Sequence, residues 1–189
     1  MVAKFLPIVY VETISPVLFG YIGLWQNGIM EIKRILVVCY SRDGTTRNLG
    51  EAIAQTLVCP FEEIIDLRKR SGLWGFLMAG MDAARAKLTQ IGPPRQDPTQ
   101  FDLLIVGTPV WDGRMAPAVR TYLKRFQGRL PSLAFYCTAG GSNTKKTLEE
   151  LAAFTGKQPL ALLSLRRSAL QSGDYRVALM EFADRIRSS

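Results

Sequence analysis

The strongest constraint on this chain is a run of six residues, Ile35, Leu36, Val37, Val38, Cys39 and Tyr40, that is almost wholly apolar and rich in β-branched side chains. A strand with one wet face alternates polar and apolar residues. A strand with no polar residues must be covered on both faces, as in a parallel sheet between two layers of helix. Segments 101–107, 133–137 and 160–165 repeat the pattern, and 61–67 repeats it more weakly, as an edge strand would. Stretches of helical spacing lie between them. Leu49, Ala52, Ile53 and Leu57 recur at i, i+3, i+4 and i+8 behind Thr45 or Thr46 as the expected cap. Val119, Tyr122, Leu123 and Phe126 follow a first-turn Pro117, residues 145–154 form another helix, and Leu179, Phe182, Ala183 and Ile186 mark a closing one. A further helix is expected over 73–88. The fold class is therefore α/β, a doubly wound five-stranded parallel sheet.

A chain of 189 residues can bury such a core as one domain without disulfides or structural metal. It contains no His, which excludes Ser-His-Asp and Cys-His catalytic arrangements and His-containing zinc sites. Cys39, Cys59 and Cys137 form no C-x-x-C pair and are too few for a four-thiolate metal site. They fit a reducing, cytoplasmic setting. The 24 Lys and Arg exceed the 16 Asp and Glu, giving a formal charge of +8 that points to an anionic ligand, partner or surface. No element interleaves basic with aromatic residues as a nucleic-acid-binding module would, so no nucleic acid is expected.

Residues 1–30 carry only Lys4 and Glu12, so the whole excess charge belongs to 31–189. This leader reads as an N-terminal extension of uncharacterised role. Its uncharged stretch 13–30 approaches the ~20 residues of a membrane span, but Pro16, Gly20, Gly23, Gln26, Asn27 and Gly28 interrupt it. A membrane anchor, a loosely packed extension, and an upstream start with Met30 as the true first residue all stay open. Leu73, Trp74, Phe76, Leu77, Met78 and Met81 suit either the lip of a quinone or membrane contact or simple helix packing. Arg68, Lys69 and Arg70, with Arg120, Lys124, Arg125 and Arg129, suit either an anionic partner or a solvated helix face.

In a doubly wound sheet the ligand lies beyond the carboxyl ends of the strands. Three loops there are unusual. After the first strand, Ser41, Arg42, Asp43, Gly44, Thr45 and Thr46 lead straight into a helix. Their hydroxyls, the backbone N–H groups around Gly44 and the positive helix end make a cradle for phosphate. The loop is neither a Walker A sequence nor a G-x-G-x-x-G turn. After the third strand come Thr108, Pro109, Val110, Trp111 and Gly113, where Trp111 offers a flat surface and Gly113 permits close backbone approach. After the fourth, Thr138, Gly140 and Gly141 offer backbone donors without bulk. Plainer readings stand beside these: a capped turn, a Trp covering the sheet end, and an ordinary strand-to-helix turn.

Together the loops suit a ligand with a phosphate at one end and a flat ring system at the other, the shape of flavin mononucleotide (FMN). Residues 41–46 resemble the flavodoxin phosphate loop, Ser/Thr-x-Ser/Thr-Gly-x-Thr, with Asp43 at the third position in place of a hydroxyl residue. Residues 101–113, with 115–117, are similar to the Tyr-Asp-apolar-Gly-Ser/Thr-Pro-x-Trp segment of the same family. The resemblance runs from about residue 32 to the C-terminus. It implies that 31–189 is a flavodoxin-like FMN-binding domain of the short-chain type, strand order 2-1-3-4-5. It also implies that Ser41, Arg42, Asp43, Gly44, Thr45 and Thr46 surround the phosphate. Thr108, Pro109, Val110, Trp111 and Gly113 would then border the isoalloxazine, with Thr138, Gly140 and Gly141 at its other edge. The implied function is that of an FMN redox protein, an NAD(P)H- or quinone-linked oxidoreductase. A one-electron carrier serving a redox partner protein, and an interaction protein with weak or no FMN binding, are the alternatives. No side chain is assigned a catalytic role, because hydride transfer to a flavin needs no protein base.

Two departures from the family stand out. Asp43 sets a negative charge beside a phosphate, a repulsion of about 4 kcal/mol at ~4 Å in an effective dielectric near 20. Arg42 and Arg47 are expected to offset it, or Asp43 to turn outward. The basic charge also contrasts with acidic carrier flavodoxins, whose positively charged reductases this chain would repel. Other chemistries on such a sheet fit worse. A thiol phosphatase needs C-x5-R, but seven residues separate Cys39 from Arg47, and a phospho-receiver needs paired acids where Asp43 stands alone.

Overall fold

The apolar runs become strands and the amphipathic stretches helices. The computed structural model describes residues 21–26, 29–68, 88–141 and 143–189. Its strands are β1 (Tyr21–Gln26), β2 (Ile29–Cys39), β3 (Phe61–Glu63), β4 (Leu103–Trp111), β5 (Arg114–Met115), β6 (Ser132–Ala139) and β7 (Leu162–Arg166). Its helices are α1 (Thr45–Leu57), α2 (Pro117–Arg125), α3 (Thr144–Thr155), α4 (Arg167–Ser172) and α5 (Arg176–Arg187).

Strands β3, β2, β4, β6 and β7 lie side by side and parallel. This is the expected 2-1-3-4-5 order. Alternation along each strand divides the core into two layers. Ile35, Val37, Cys39, Leu103, Ile105, Ala134 and Tyr136 face Leu49, Ile53 and Leu57 of α1 and Leu179, Phe182 and Ile186 of α5. Leu36, Val38, Leu104, Val106, Leu133, Phe135 and Cys137 face Val119, Tyr122 and Leu123 of α2 and Leu148 and Leu151 of α3. The central strands are dry on both sides, which is why their sequences lack polar alternation.

Several elements differ from the sequence expectation. Strand β2 begins at Ile29 rather than near 35, because its first half pairs antiparallel with β1, from Tyr21 opposite Arg34 to Gln26 opposite Ile29. This pairing crosses position 30, where the extension was expected to end. Of the segment 61–67, only Phe61–Glu63 is strand; Asp66 forms an isolated bridge to Ile91. The stretch after Gly107, expected to be a loop, continues as strand and folds back as a hairpin. Trp111 pairs with Arg114 across the two-residue turn Asp112-Gly113, whose φ values of 50° and 70° are those of a primed hairpin turn. Helix α4 carries no strong apolar stripe and was not foreseen. The leader up to residue 20, the apolar group 73–81 and all but the last residue of the helix expected over 73–88 lie outside the described residues.

One buried ring fixes how α1 sits on the sheet. Tyr136 of β6 is fully buried, and its hydroxyl donates to the Thr46 carbonyl at 3.3 Å. Its ring fills the space a side chain would need at two glycines: a Cβ on Gly107 would fall within the ring, and one on Gly50 would meet the hydroxyl. Glycine in α1 and β4 thus lets the helix approach closely enough for its first turn to meet the carboxyl end of the sheet.

Gly107→Ala is expected to cost about 1–3 kcal/mol by overpacking, seen as a lower chemical denaturation midpoint. Tyr136→Leu, which removes the ring, makes the same change cheaper, so the double variant loses less than the sum of the single losses. Strict additivity would contradict the contact.

Candidate functional site

The turn from β2 into α1 is built by Gly44, the N-cap, at φ 86°, a left-handed conformation that glycine adopts without steric cost. The expected caps Thr45 and Thr46 lie inside the helix. Asp43 takes over the capping task instead, its Oδ1 accepting from the Thr45 backbone N–H at 3.1 Å. Its Oδ2 pairs with the Arg167 guanidinium at the start of α4. Partial burial would raise the Asp43 pKa, but the Thr45 hydrogen bonds and the Arg167 charge outweigh it and hold the carboxyl below the usual carboxylate range. Arg47, expected to offset Asp43, turns to Glu51 at 3.0 Å and Glu63 at 3.7 Å.

Two threonines stitch this loop to the end of β6. The Thr46 and Thr138 hydroxyls lie 2.7 Å apart, both residues buried. Thr108 is also buried; its hydroxyl accepts from the Ala116 N–H at 2.9 Å and donates to the Pro109 carbonyl at 3.0 Å. Thr46 and Thr108 therefore hold the loops from beneath. Ser41 differs from them, because its Oγ is buried and has no hydrogen-bond partner among the described residues.

At the carboxyl end of the sheet the three loops close around a cavity of about 280 Å³. Arg42, Asp43 and Thr45 come from the first loop, Pro109, Val110 and Trp111 from the second, Thr138, Ala139 and Gly140 from the third. Arg167 completes the wall. Among the sequence candidates, Ser41 lines an adjoining depression with Tyr40, Arg42 and Glu63. Gly44 and Gly113 serve turns, and the position a Cβ would take at Gly141 meets open space. Among the described residues, two guanidiniums against one carboxylate leave the cavity wall net positive, suited to an anion.

Trp111 packs partly on the core, with its ring edge-on to Tyr40, centroids 5.7 Å apart and planes at 89°. The hairpin that carries it is tied to α3 by Glu150. One carboxylate oxygen accepts from the Met115 N–H at 2.7 Å; the other meets Arg120 at 2.5 Å and Arg114 at 3.4 Å. The Arg120 guanidinium also lies over the Phe154 ring, 5.1 Å from its centre. Arg120 is buried here, so it is a brace for this hairpin and no part of a partner-facing basic patch. The Cys39 thiol under the loops is pushed up to about 12 by burial and stays protonated at neutral pH.

No protein-family model matches the sequence, and no curated protein matches it. Solved structures do. A flavoprotein in complex with FMN from Lactobacillus acidophilus NCFM superposes at TM-score 0.63 and 20% identity, over 74% of this chain and 97% of that one. The apo form of the flavoprotein from the same organism gives TM-score 0.57 at 19% identity, over 74% and 95%. The apo form of an NADH:FMN oxidoreductase gives 0.53 at 16%, over 81% and 88%. The fold is flavodoxin-like. In this flavodoxin-like sheet the cavity sits where the strand order reverses, between β2 and β4, the usual ligand position of doubly wound folds. Among the described residues no helix is long and apolar enough to cross a membrane.

Arg167, Glu150 and Arg120 were not found as site residues from the sequence. The adjacent Arg166 and Arg167, at the junction of the last strand with α4, were the one local signal. Glu150→Ala should cost about 3 kcal/mol, because it leaves buried Arg120 without its partner. The Met115 amide should then exchange with deuterium faster, while the amides of α1 keep their protection. Equal acceleration in both places would show general destabilisation instead of a hairpin brace.

Proposed function

We propose that this chain binds FMN in the cavity at the carboxyl end of the sheet and is an NAD(P)H- or quinone-linked oxidoreductase. The observation that carries the reading is the convergence of three separate loops on one net-positive cavity with Trp111 on its wall. The residues present fit such a group. The buried Ser41 Oγ, in the depression adjoining the cavity, has no partner among the described residues and stands at the first position of the phosphate loop, Thr45 contributes a hydroxyl, and Gly140 leaves space. The neighbour crystallised with FMN supports the same reading.

In this reading Ser41, Thr45, Arg42 and Arg167 hold the phosphate, and Pro109, Val110 and Trp111 border the ring on one side. Thr138 and Gly140 border it on the other. When bound, FMN supplies the redox chemistry, taking a hydride and passing its electrons on. The protein's tasks are to orient the ring, screen the phosphate and limit water at the reacting face. None of these requires histidine. The basic surface favours an anionic donor such as NAD(P)H over the positively charged reductases that serve acidic carriers. The three free cysteines suit a reducing, cytoplasmic setting.

The purified protein should carry an absorbance band near 450 nm, an approximate value for flavins in general, and added FMN should lose fluorescence as the protein binds it. Trp111→Ala should raise the dissociation constant about fivefold or more through lost ring contact. With FMN bound, oxidation of NADPH in the presence of a quinone marks an oxidoreductase; binding without turnover favours the one-electron carrier. A protein that neither carries nor takes up FMN would overturn the proposal.

A further inference from the structure

The Asp43 carboxylate stands where a phosphate would be bound. It accepts a hydrogen bond from the first N–H of α1, at Thr45, and takes the Arg167 guanidinium as its counter-ion. These are two groups a phosphate at this helix end would use. We propose that Asp43 is an internal anion that competes with the flavin phosphate, and that the Asp43–Arg167 pair sets how far this chain distinguishes FMN from phosphate-free riboflavin. The inference rests on the reading of the cavity as a flavin site and identifies the residues that tune its ligand selectivity.

The pair is placed for that task. Asp43, Thr45 and Arg167 line the 280 Å³ cavity and also a second, 440 Å³ groove between α1 and α4, so the pair is the wall the two share. An entering phosphate must take Thr45 N–H and Arg167 from Asp43. That exchange gains little, because the same donors are satisfied before and after, and it leaves Asp43 charged beside the phosphate. Riboflavin meets neither effect. A serine at 43 would free both donors and add a hydroxyl at the position where the flavodoxin loop carries Ser or Thr. Arg42 stays on the cavity wall in either case.

The test compares dissociation constants for FMN and riboflavin, by flavin fluorescence quenching, in the full-length protein and in Asp43→Ser, Asp43→Asn and Asp43→Ser with Arg167→Ala. Both single variants should bind FMN roughly tenfold or more tightly than the wild type, with riboflavin nearly unchanged. Removing Arg167 as well should erase most of the gain. FMN binding by the variants but not by the wild type would support the inference in its strongest form. Equal or weaker FMN binding by both single variants, beside measurable wild-type binding, would overturn it and leave the flavin site standing. No flavin binding by any of the four proteins would overturn both.

Discussion

The Tyr136 ring beneath α1 is the contact on which the site depends. A parallel sheet ends in unpaired backbone, and a helix that starts directly above it can present N–H groups to a ligand only if it lies close. Here closeness comes from two missing side chains, at Gly50 and Gly107, and from one large ring that occupies their space. The hydroxyl of that ring reaches the Thr46 carbonyl, and the Thr46 hydroxyl in turn meets Thr138. Packing in the core and the geometry of the first loop are thus one construction. The ring is completely dry, so its contribution is van der Waals fit and the hydrogen bonding of its hydroxyl in a low-dielectric setting.

Charge completes what packing begins. Glu150 joins the Trp111 hairpin to α3 through a backbone N–H and two guanidiniums, one of them buried. Asp43 and Arg167 join the first loop to α4. Of the two, the Glu150 cluster is the more shielded from water, so it should carry more of the stability. The Asp43–Arg167 pair is half-exposed, and its weight lies in what it does to an entering anion.

The sheet was legible in the sequence because strands dry on both faces cannot hide their composition: residues 35–40 and 101–107 admit no wet face. The three loops were legible because a strand-to-helix turn of hydroxyls and glycine has few uses. Other features were not. Residues 108–111 were expected to be loop, since Thr-Pro-Val-Trp has no alternation, yet Asp112-Gly113 is a strong hairpin signal. The positions paired by Asp43 and Arg167 are 124 residues apart and those paired by Glu150 and Arg120 are 30 apart. No spacing rule connects them, because only the sheet order brings them together. Arg120 shows the converse error: at helical spacing with Lys124 it reads as a surface charge, and packing buries it.

The claim that ties these elements together is that three loops, separated along the chain, form one flavin nucleotide site. Amide NMR of the labelled protein during FMN titration addresses it most directly, residue by residue. The account predicts that the largest shifts fall at residues 42–46, 110–111, 138–140 and 167, saturating together at one dissociation constant. Shifts confined to another surface, such as the groove that Glu51, Ala54, Val58 and Phe61 line at the far end of α1, or none at saturating FMN, would contradict it.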